Sequence, residues 1–305
     1  MLLKNKDFIS LYEVKAEVLL TIFKRAIFFK KRGTEEYKGG VRGKNIVNAF
    51  FEPSTRTRFS FEIAEKMLGA NVLNFSSEIS SVAKGESLSD TVKTLEAIGV
   101  NLIVVRHPAP GAAKYIADEI DIPVVNGGDG SHEHPTQTLL DLFTIYESKG
   151  TFKDQKIVIV GDILHSRSTR STLFAIRSLG GKVVLSGPPP LVPDYYKQFG
   201  AEICYDLDEA LKGAVAVRTA RIQRERFKKF YIQPDEYIKN YRLDNKRISK
   251  HKDKLMVMHG APMRRGEEIT SEVADGPNSV IFPQMTNGMF VRMALLDLIL
   301  GEKDL

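Results

Sequence analysis

The residues best suited to chemistry are Ser54-Thr55-Arg56-Thr57, three hydroxyls and a guanidinium in consecutive positions. An arginine can grip a phosphate through two parallel hydrogen bonds, and hydroxyls add further donors. Two more polar groups follow apolar runs. Arg106 closes the run 100–105, and His134-Pro135-Thr136-Gln137 lies beyond the run 122–125. Open α/β sheets place their ligands at the carboxyl ends of strands, where all three groups would meet. The chemistry this suits is the binding of a phosphorylated anion. His132, Glu133 and His134 invite a metal reading, but no third-ligand pattern accompanies them, and none is expected.

The elements that must position these groups are legible around them. Residues 45–51 have the composition of a buried strand. Phe59, Ile63 and Met67 then recur every fourth residue, Ala64 and Leu68 extend that face, and Gly69 is a helix stop. Ser54 would be the N-cap, and the first-turn amides would point outward at the positive end of the helix dipole. The same string also reads as a plain polar cap, and Arg106 also reads as a surface arginine.

The rest of the chain alternates in the same way. Residues 7–32 carry an amphipathic helix pattern with Leu19, Leu20, Phe23 and Ile27 on one side. Residues 38–44 form a turn and 71–75 a strand. A polar loop at 80–88 precedes a helix marked by Leu88, Val92, Leu95 and Ile98. Pro135 begins another, with Leu139, Leu140 and Phe143 apolar. The pattern restarts near Gly150 with a strand at 156–160 and a helix through Leu173, Ile176 and Leu179. The turn between them lacks G-x-G-x-x-G and carries bulky Leu164-His165, which disfavours a dinucleotide. Strands follow at 183–185, 201–204 and 214–217, with a short helix at 207–211. Residues 218–254 read as a long charged connection, either a functional lid or solvated helix. A last strand at 254–258 precedes a helix outlined by Phe282, Met285, Met289, Met293 and Leu296.

At 305 residues the chain suits two domains, and an apolar fraction of 43% supports real cores. No apolar run reaches the roughly 18 residues of a membrane span. The first ten residues lack a signal-peptide pattern. The single cysteine, Cys204, leaves no internal disulfide and no zinc cluster, and reads as a buried strand residue. A cytoplasmic protein is expected. The net charge of +6 and a pI near 9.1 admit a nucleic-acid partner. The basic residues are dispersed among acids, however, which suits anionic substrates better, so neither nucleic acid nor membrane is expected.

The string from Phe51-Glu52-Pro53 through Ser54-Thr55-Arg56-Thr57-Arg58 resembles the phosphate-binding signature of the aspartate and ornithine carbamoyltransferases. His-Pro-Thr-Gln at 134–137, Arg-Ile-Gln-Arg-Glu-Arg at 221–226 and the His-Gly-Ala-Pro turn at 259–262 continue the likeness in order. The resemblance implies an α/β fold of two doubly wound parallel-sheet domains with the active site in the cleft between them. Residues 1–146 would bind carbamoyl phosphate and 147–284 the amino acid. The C-terminal helix, 285–305, would pack back on the first domain.

By that resemblance Ser54, Thr55, Arg56, Thr57 and Arg106 bind the phosphate, joined by Lys84 from a neighbouring subunit. Thr57, Arg106 and His134 donate to the carbonyl oxygen. Gln137 and the carbonyls near Ala261 and Pro262 hold the carbamoyl amine, with Ala261-Pro262 a candidate cis peptide. Arg167, Arg221 and Gln223 take the two carboxylates of L-aspartate. The family usually has His-Pro where this chain has His259-Gly260, which adds backbone freedom. A shared site implies a homotrimer, and a regulatory or dihydroorotase-like partner chain stays open. The implied reaction opens pyrimidine synthesis and needs no cofactor. Ornithine or another amino acid is the alternative acceptor. A nucleic-acid-binding protein and a nicotinamide-dependent enzyme are the rivals from other classes.

Overall fold

The computed structural model describes residues 3–32, 41–76, 86–226 and 232–301. The chain divides into two compact units, Met1–Leu140 with Thr286–Leu305, and Asp141–Met285.

The first unit holds α1 (Ala16–Arg32), β1 (Asn45–Phe50), α2 (Thr55–Met67), β2 (Asn71–Ser76), α3 (Leu88–Ala97), β3 (Leu102–His107), α4 (Ala112–Glu119) and β4 (Val124–Asp129). The helix α5 (Pro135–Lys149) begins in this unit and ends in the other. The second unit continues with β5 (Lys156–Gly161), α6 (Arg167–Ser178), β6 (Lys182–Ser186), β7 (Glu202–Ile203), α7 (Leu207–Leu211), β8 (Ala214–Ala220), α8 (Pro234–Tyr241), α9 (Asn245–Ile248), β9 (Met256–His259) and α10 (Ser271–Ala274). The last helix, α11 (Ile281–Leu300), returns the chain to the first unit.

Each unit is built on one parallel sheet, ordered β2-β1-β3-β4 in the first and β7-β6-β5-β8-β9 in the second. Strand–helix alternation forces parallel pairing, since each return needs a crossover. Ile103, Val104 and Val105 of β3 and Ile157 through Val160 of β5 are buried, as expected of strands covered on both faces. The order reverses beside β1 and β3 in one sheet, and beside β5 and β8 in the other. Such switch points open a crevice at the strand carboxyl ends. Gly161 closes β5 at φ +123, where an added Cβ would stand 2.2 Å from the Ala220 carbonyl of β8. Only glycine lets the two strands meet so closely.

Several sequence expectations are corrected. The first helix starts at Ala16 rather than residue 7, and its buried stripe is Leu19, Ile22, Phe23, Ala26 and Phe29. Leu20 and Ile27 lie at the edge of that stripe. Phe8 instead joins the sheet beside β4, exchanging backbone bonds with Val124 and Asn126. On α2, Phe59 and Ile63 are exposed, and the core face is Thr57, Phe61, Ala64 and Glu65. Residues 218–220 belong to β8, so Arg218 is a buried strand residue and not the start of a loop. The region beyond carries α8 and α9, with Tyr237 and Tyr241 buried against the second core. Cys204 lies just past β7 and is only half-buried.

Candidate active site

The phosphate-binding candidates gather at the switch point of the first sheet. β1 delivers Ser54 to the N-cap of α2, where its side chain makes no capping bond. Thr55 and Arg56 are exposed in the first turn, and Thr57 is buried. No acidic residue occupies that turn, so nothing there opposes an anion at the helix N-terminus.

Arg106 arrives from the adjacent strand. The β3–β4 register shifts between Val105 and His107, and such an irregularity re-aims the side chain it carries. The Arg106 Nη1 lies 3.3 Å from Thr57 Oγ1, 3.3 Å from the Gly127 carbonyl and 3.5 Å from His134 Nε2. A guanidinium only donates, so in this state the Nε2 facing it is the acceptor. The Arg106 Nε donates to Glu52 Oε1 at 2.7 Å.

His134 owes its place to Asp129. One Asp129 carboxylate oxygen accepts from Asn126 Nδ2 and the Glu133 amide, and the other from the Gly111 amide, with His132 Nδ1 at 3.0 Å. Burial would raise this carboxyl, but these bonds together outweigh it and hold Asp129 below its ordinary range. The loop so fixed carries His134, which is buried, to the start of α5, where Gln137 follows half-buried. Glu133, weighed from sequence as a metal ligand, accepts from Ser10 and from the Leu11 amide at 2.9 Å. No cluster of metal-ligating side chains occurs among the described residues.

The amino-acid-binding candidates occupy the switch point of the second sheet. Arg167 is the first residue of α6, after the turn that leaves β5. In that turn Asp162 is wholly buried and accepts from the His165 amide at 3.1 Å, with His165 Nδ1 at 2.9 Å. The Gln223 amide also donates to Asp162, at 3.1 Å, and the Gln223 side chain donates to the His165 carbonyl at 2.7 Å. Gln223 is thereby tied to the turn that presents Arg167. The Arg221 guanidinium pairs with both carboxylate oxygens of Glu225. That bond draws the Glu225 carboxyl below its ordinary range.

The turn after β9 contains a cis Ala261-Pro262 bond, in line with the sequence expectation. Positive φ falls on Ala261, at +48, and not on Gly260. A left-handed conformation costs an L residue about 1–2 kcal/mol. The Ala261 amide is held there by His259 Nδ1 at 2.8 Å.

Thr57, Arg106 and His134 are thus brought together in one unit, and Arg167, Gln223 and the Arg221 segment are organised in the other. Lys84 lies outside the described residues. Sequence reasoning gave no role to Glu52, Asp162, His259 and Glu268, each of which has at least one partner distant in the chain. Glu52 and His259 carried a signal, being inside the Phe-Glu-Pro-Ser-Thr-Arg string and the His-Gly-Ala-Pro turn.

Residues 6–147 match the family model described as the carbamoyl-P binding domain of aspartate/ornithine carbamoyltransferase. Residues 153–299 match its Asp/Orn binding domain. The catalytic subunit of aspartate carbamoyltransferase from Halothermothrix orenii is 47% identical, covering 99% of this chain and 98% of that protein. The crystal structure of Trypanosoma cruzi aspartate transcarbamoylase in complex with N-(phosphonacetyl)-L-aspartic acid is similar at a TM-score of 0.88 and 30% identity, covering 98% of this chain and 97% of that one. Ornithine carbamoyltransferase from Pyrococcus furiosus is similar at a TM-score of 0.86 and 31% identity, covering 97% of each chain. With both halves matched and a relative of this identity along its whole length, the chain belongs to the aspartate/ornithine carbamoyltransferase family.

Proposed function

We propose that this chain transfers the carbamoyl group of carbamoyl phosphate to L-aspartate, giving N-carbamoyl-L-aspartate and phosphate. The observation that carries this reading is the convergence of Thr57, Arg106 and His134 beside the N-terminus of α2. Fold alone does not choose between acceptors, because the aspartate and ornithine enzymes resemble the chain equally well. The choice rests on relatives 43–51% identical, such as those of Moorella thermoacetica and Salinispora tropica, which are named aspartate carbamoyltransferase catalytic subunits. A dicarboxylate also fits a half-site furnished with Arg167 and Arg221.

The phosphate of the donor sits on the amides of α2 with Ser54, Thr55, Arg56 and Arg106. As the aspartate amine attacks, a C–N bond forms and charge collects on the carbamoyl oxygen. Thr57, Arg106 and His134 stabilise that oxyanion, His134 as its Nε2–H tautomer, which replaces the acceptor form once the substrate oxygen comes between Nε2 and Arg106. Gln137 and the carbonyls at Ala261 and Pro262 hold the carbamoyl amine. Arg167, Arg221 and Gln223 orient the aspartate carboxylates, and Arg221 exchanges Glu225 for substrate. The C–O bond to phosphate then breaks. The departing phosphate takes the amine proton, so positioning supplies most of the catalysis. No cofactor is required, because the leaving group is already activated.

On this reading residues 1–146, with the helix 285–305, serve carbamoyl phosphate, and 147–284 serve aspartate. The chain acts in the cytoplasm, at the entry to pyrimidine synthesis, as a homotrimer in which Lys84 reaches a neighbour's site. Supporting association, Phe59 and Ile63 on α2 are each 49% exposed and Leu73 on edge strand β2 is 48% exposed. Asn74 ties those two elements together through Glu62. No helix among the described residues is long and apolar enough to cross a membrane. The test is inhibition by N-(phosphonacetyl)-L-aspartic acid. Competition against carbamoyl phosphate is expected, and no inhibition would contradict the reading.

A further inference from the structure

A chain of buried polar groups runs through the second unit and touches every element that carries an amino-acid-binding candidate. It begins at Glu268, which is wholly buried. Its Oε1 accepts from the Ile222 amide at 2.9 Å, the peptide between Arg221 and Gln223. Its Oε2 lies 2.9 Å from His259 Nε2 and accepts from the Arg264 amide at 3.1 Å. Because His259 Nδ1 accepts from the Ala261 amide, the ring proton sits on Nε2 and is donated to Glu268. One imidazole therefore links the loop of Arg221 to the turn of Ala261 and Pro262.

The chain continues from the backbone of the same histidine. The His259 amide donates to Gln284 Oε1 at 3.3 Å, and Gln284 Nε2 donates to Asp141 Oδ1. The other Asp141 oxygen is ion-paired with Arg218 Nε at 2.9 Å. Arg218 Nη2 in turn donates to the hydroxyl of Ser168, the residue after Arg167. Glu268, His259, Gln284, Asp141, Arg218 and Ser168 are all at least nine-tenths buried.

We propose that this chain is the positioning frame of the acceptor half-site, with Glu268 and His259 as its positioning residues. It fixes the loop of Arg221 and Gln223, the turn carbonyls at Ala261 and Pro262, and the helix start at Arg167 relative to one another. The inference rests on the aspartate reading of that half-site. Three charges and three polar side chains are costly to bury, and apolar side chains would fill the same core more cheaply. Buried hydrogen-bond networks of this kind rigidify what they connect. Backbone pairing aligns β5 with β8 as far as Gly161 and Ala220, and β8 with β9 as far as Thr219 and His259. Beyond those ends, side-chain bonds join the segments of Ile222, Ala261 and Ser168.

The test separates position from mere stability. Kinetics of Glu268→Gln, His259→Asn, His259→Gln and Ser168→Ala are measured with carbamoyl phosphate and L-aspartate, alongside melting temperature and inhibition by inorganic phosphate. Glu268→Gln keeps one acceptor where two are needed, and the aspartate KM should rise about tenfold. His259→Asn retains an acceptor for Ala261 but not the reach to Glu268, and should likewise raise the aspartate KM. His259→Gln retains that reach but not the Ala261 bond, and should lower kcat more than it changes KM. Phosphate inhibition reads only the first unit and should stay within about twofold of wild type.

Should Glu268→Gln fail to fold, Ser168→Ala removes a single hydroxyl at the far end of the frame. It should raise the aspartate KM by about three- to fivefold. An aspartate KM unchanged in both His259→Asn and Ser168→Ala overturns the proposal. So does a loss of activity that follows melting temperature alone and spreads equally over both substrates. Wild-type enzyme that carbamoylates ornithine and not aspartate would sink the acceptor reading instead. The frame would then be judged on the ornithine KM of the same variants.

Discussion

The Arg106 guanidinium is held edge-on by Glu52, its Nε 2.7 Å from Glu52 Oε1. The two residues leave opposite sides of the same crevice, Glu52 just past β1 and Arg106 near the end of β3. With Nε anchored, Nη1 is left within reach of Thr57, Gly127 and His134. A planar fork can serve a carboxylate and an anion site at once, and an ammonium cannot.

Replacing that fork should therefore be expensive even when charge is kept. Arg106→Lys is expected to lower kcat/KM for carbamoyl phosphate by roughly 10²–10³-fold, the scale of a lost oxyanion donor. Steady-state kinetics at saturating aspartate check it. A loss below about threefold would show that charge alone suffices.

His134 is assigned to the carbamoyl oxygen and not to the phosphate. His134→Ala should lower kcat about 10²-fold while the inhibition constant of inorganic phosphate changes less than about threefold. Unchanged turnover would remove His134 from the reaction.

Arg221 is assigned to a substrate carboxylate, with Glu225 as its partner until substrate arrives. Arg221→Ala should raise the aspartate KM by about 10²-fold with little effect on the carbamoyl phosphate KM. The Glu225 carboxyl lies below its ordinary range because Arg221 bonds its ionised form. The pairing is thus fully present above the ordinary carboxylate range and is lost as pH falls through the lowered value. In Arg221→Ala the Glu225 carboxyl should titrate higher, which NMR titration reads directly. An unmoved titration would contradict the pairing.

Glu65 offers a test of the fold that does not touch the site. It is wholly buried on α2, and burial pushes its carboxyl from 4.5 up to about 8. Asn48 Nδ2 donates to it at 2.7 Å and offsets only part of that cost. The folded state therefore holds a proton that the unfolded state releases between about 4.5 and 8, so stability falls as pH rises across that window. Glu65→Gln should remove a slope worth on the order of a few kcal/mol and melt higher than wild type at pH near 8.5. Parallel melting curves against pH would refute this.

The local half of the site was legible in sequence because phosphate binding is a local device. A strand end, an N-cap and consecutive hydroxyls are adjacent residues, and Thr57, Arg106 and His134 do meet. Helical spacing was less decisive. Phe59 and Ile63 keep a helical period as well as Phe61, Ala64 and Glu65 do, and only tertiary packing decides which stripe is buried. Arg218 resembled a loop residue because a strand arginine buried on Asp141 leaves no trace in composition. The frame around Glu268 and His259 was invisible for the same reason. Its bonds join residues from 141 to 284, and no spacing rule relates them.

The most direct measurement is colorimetric detection of carbamoylated product from carbamoyl phosphate, run in parallel with L-aspartate and L-ornithine. Product with aspartate and none above background with ornithine is the expected result. Product with ornithine alone would contradict the assignment of Arg167, Arg221 and Gln223 to a dicarboxylate.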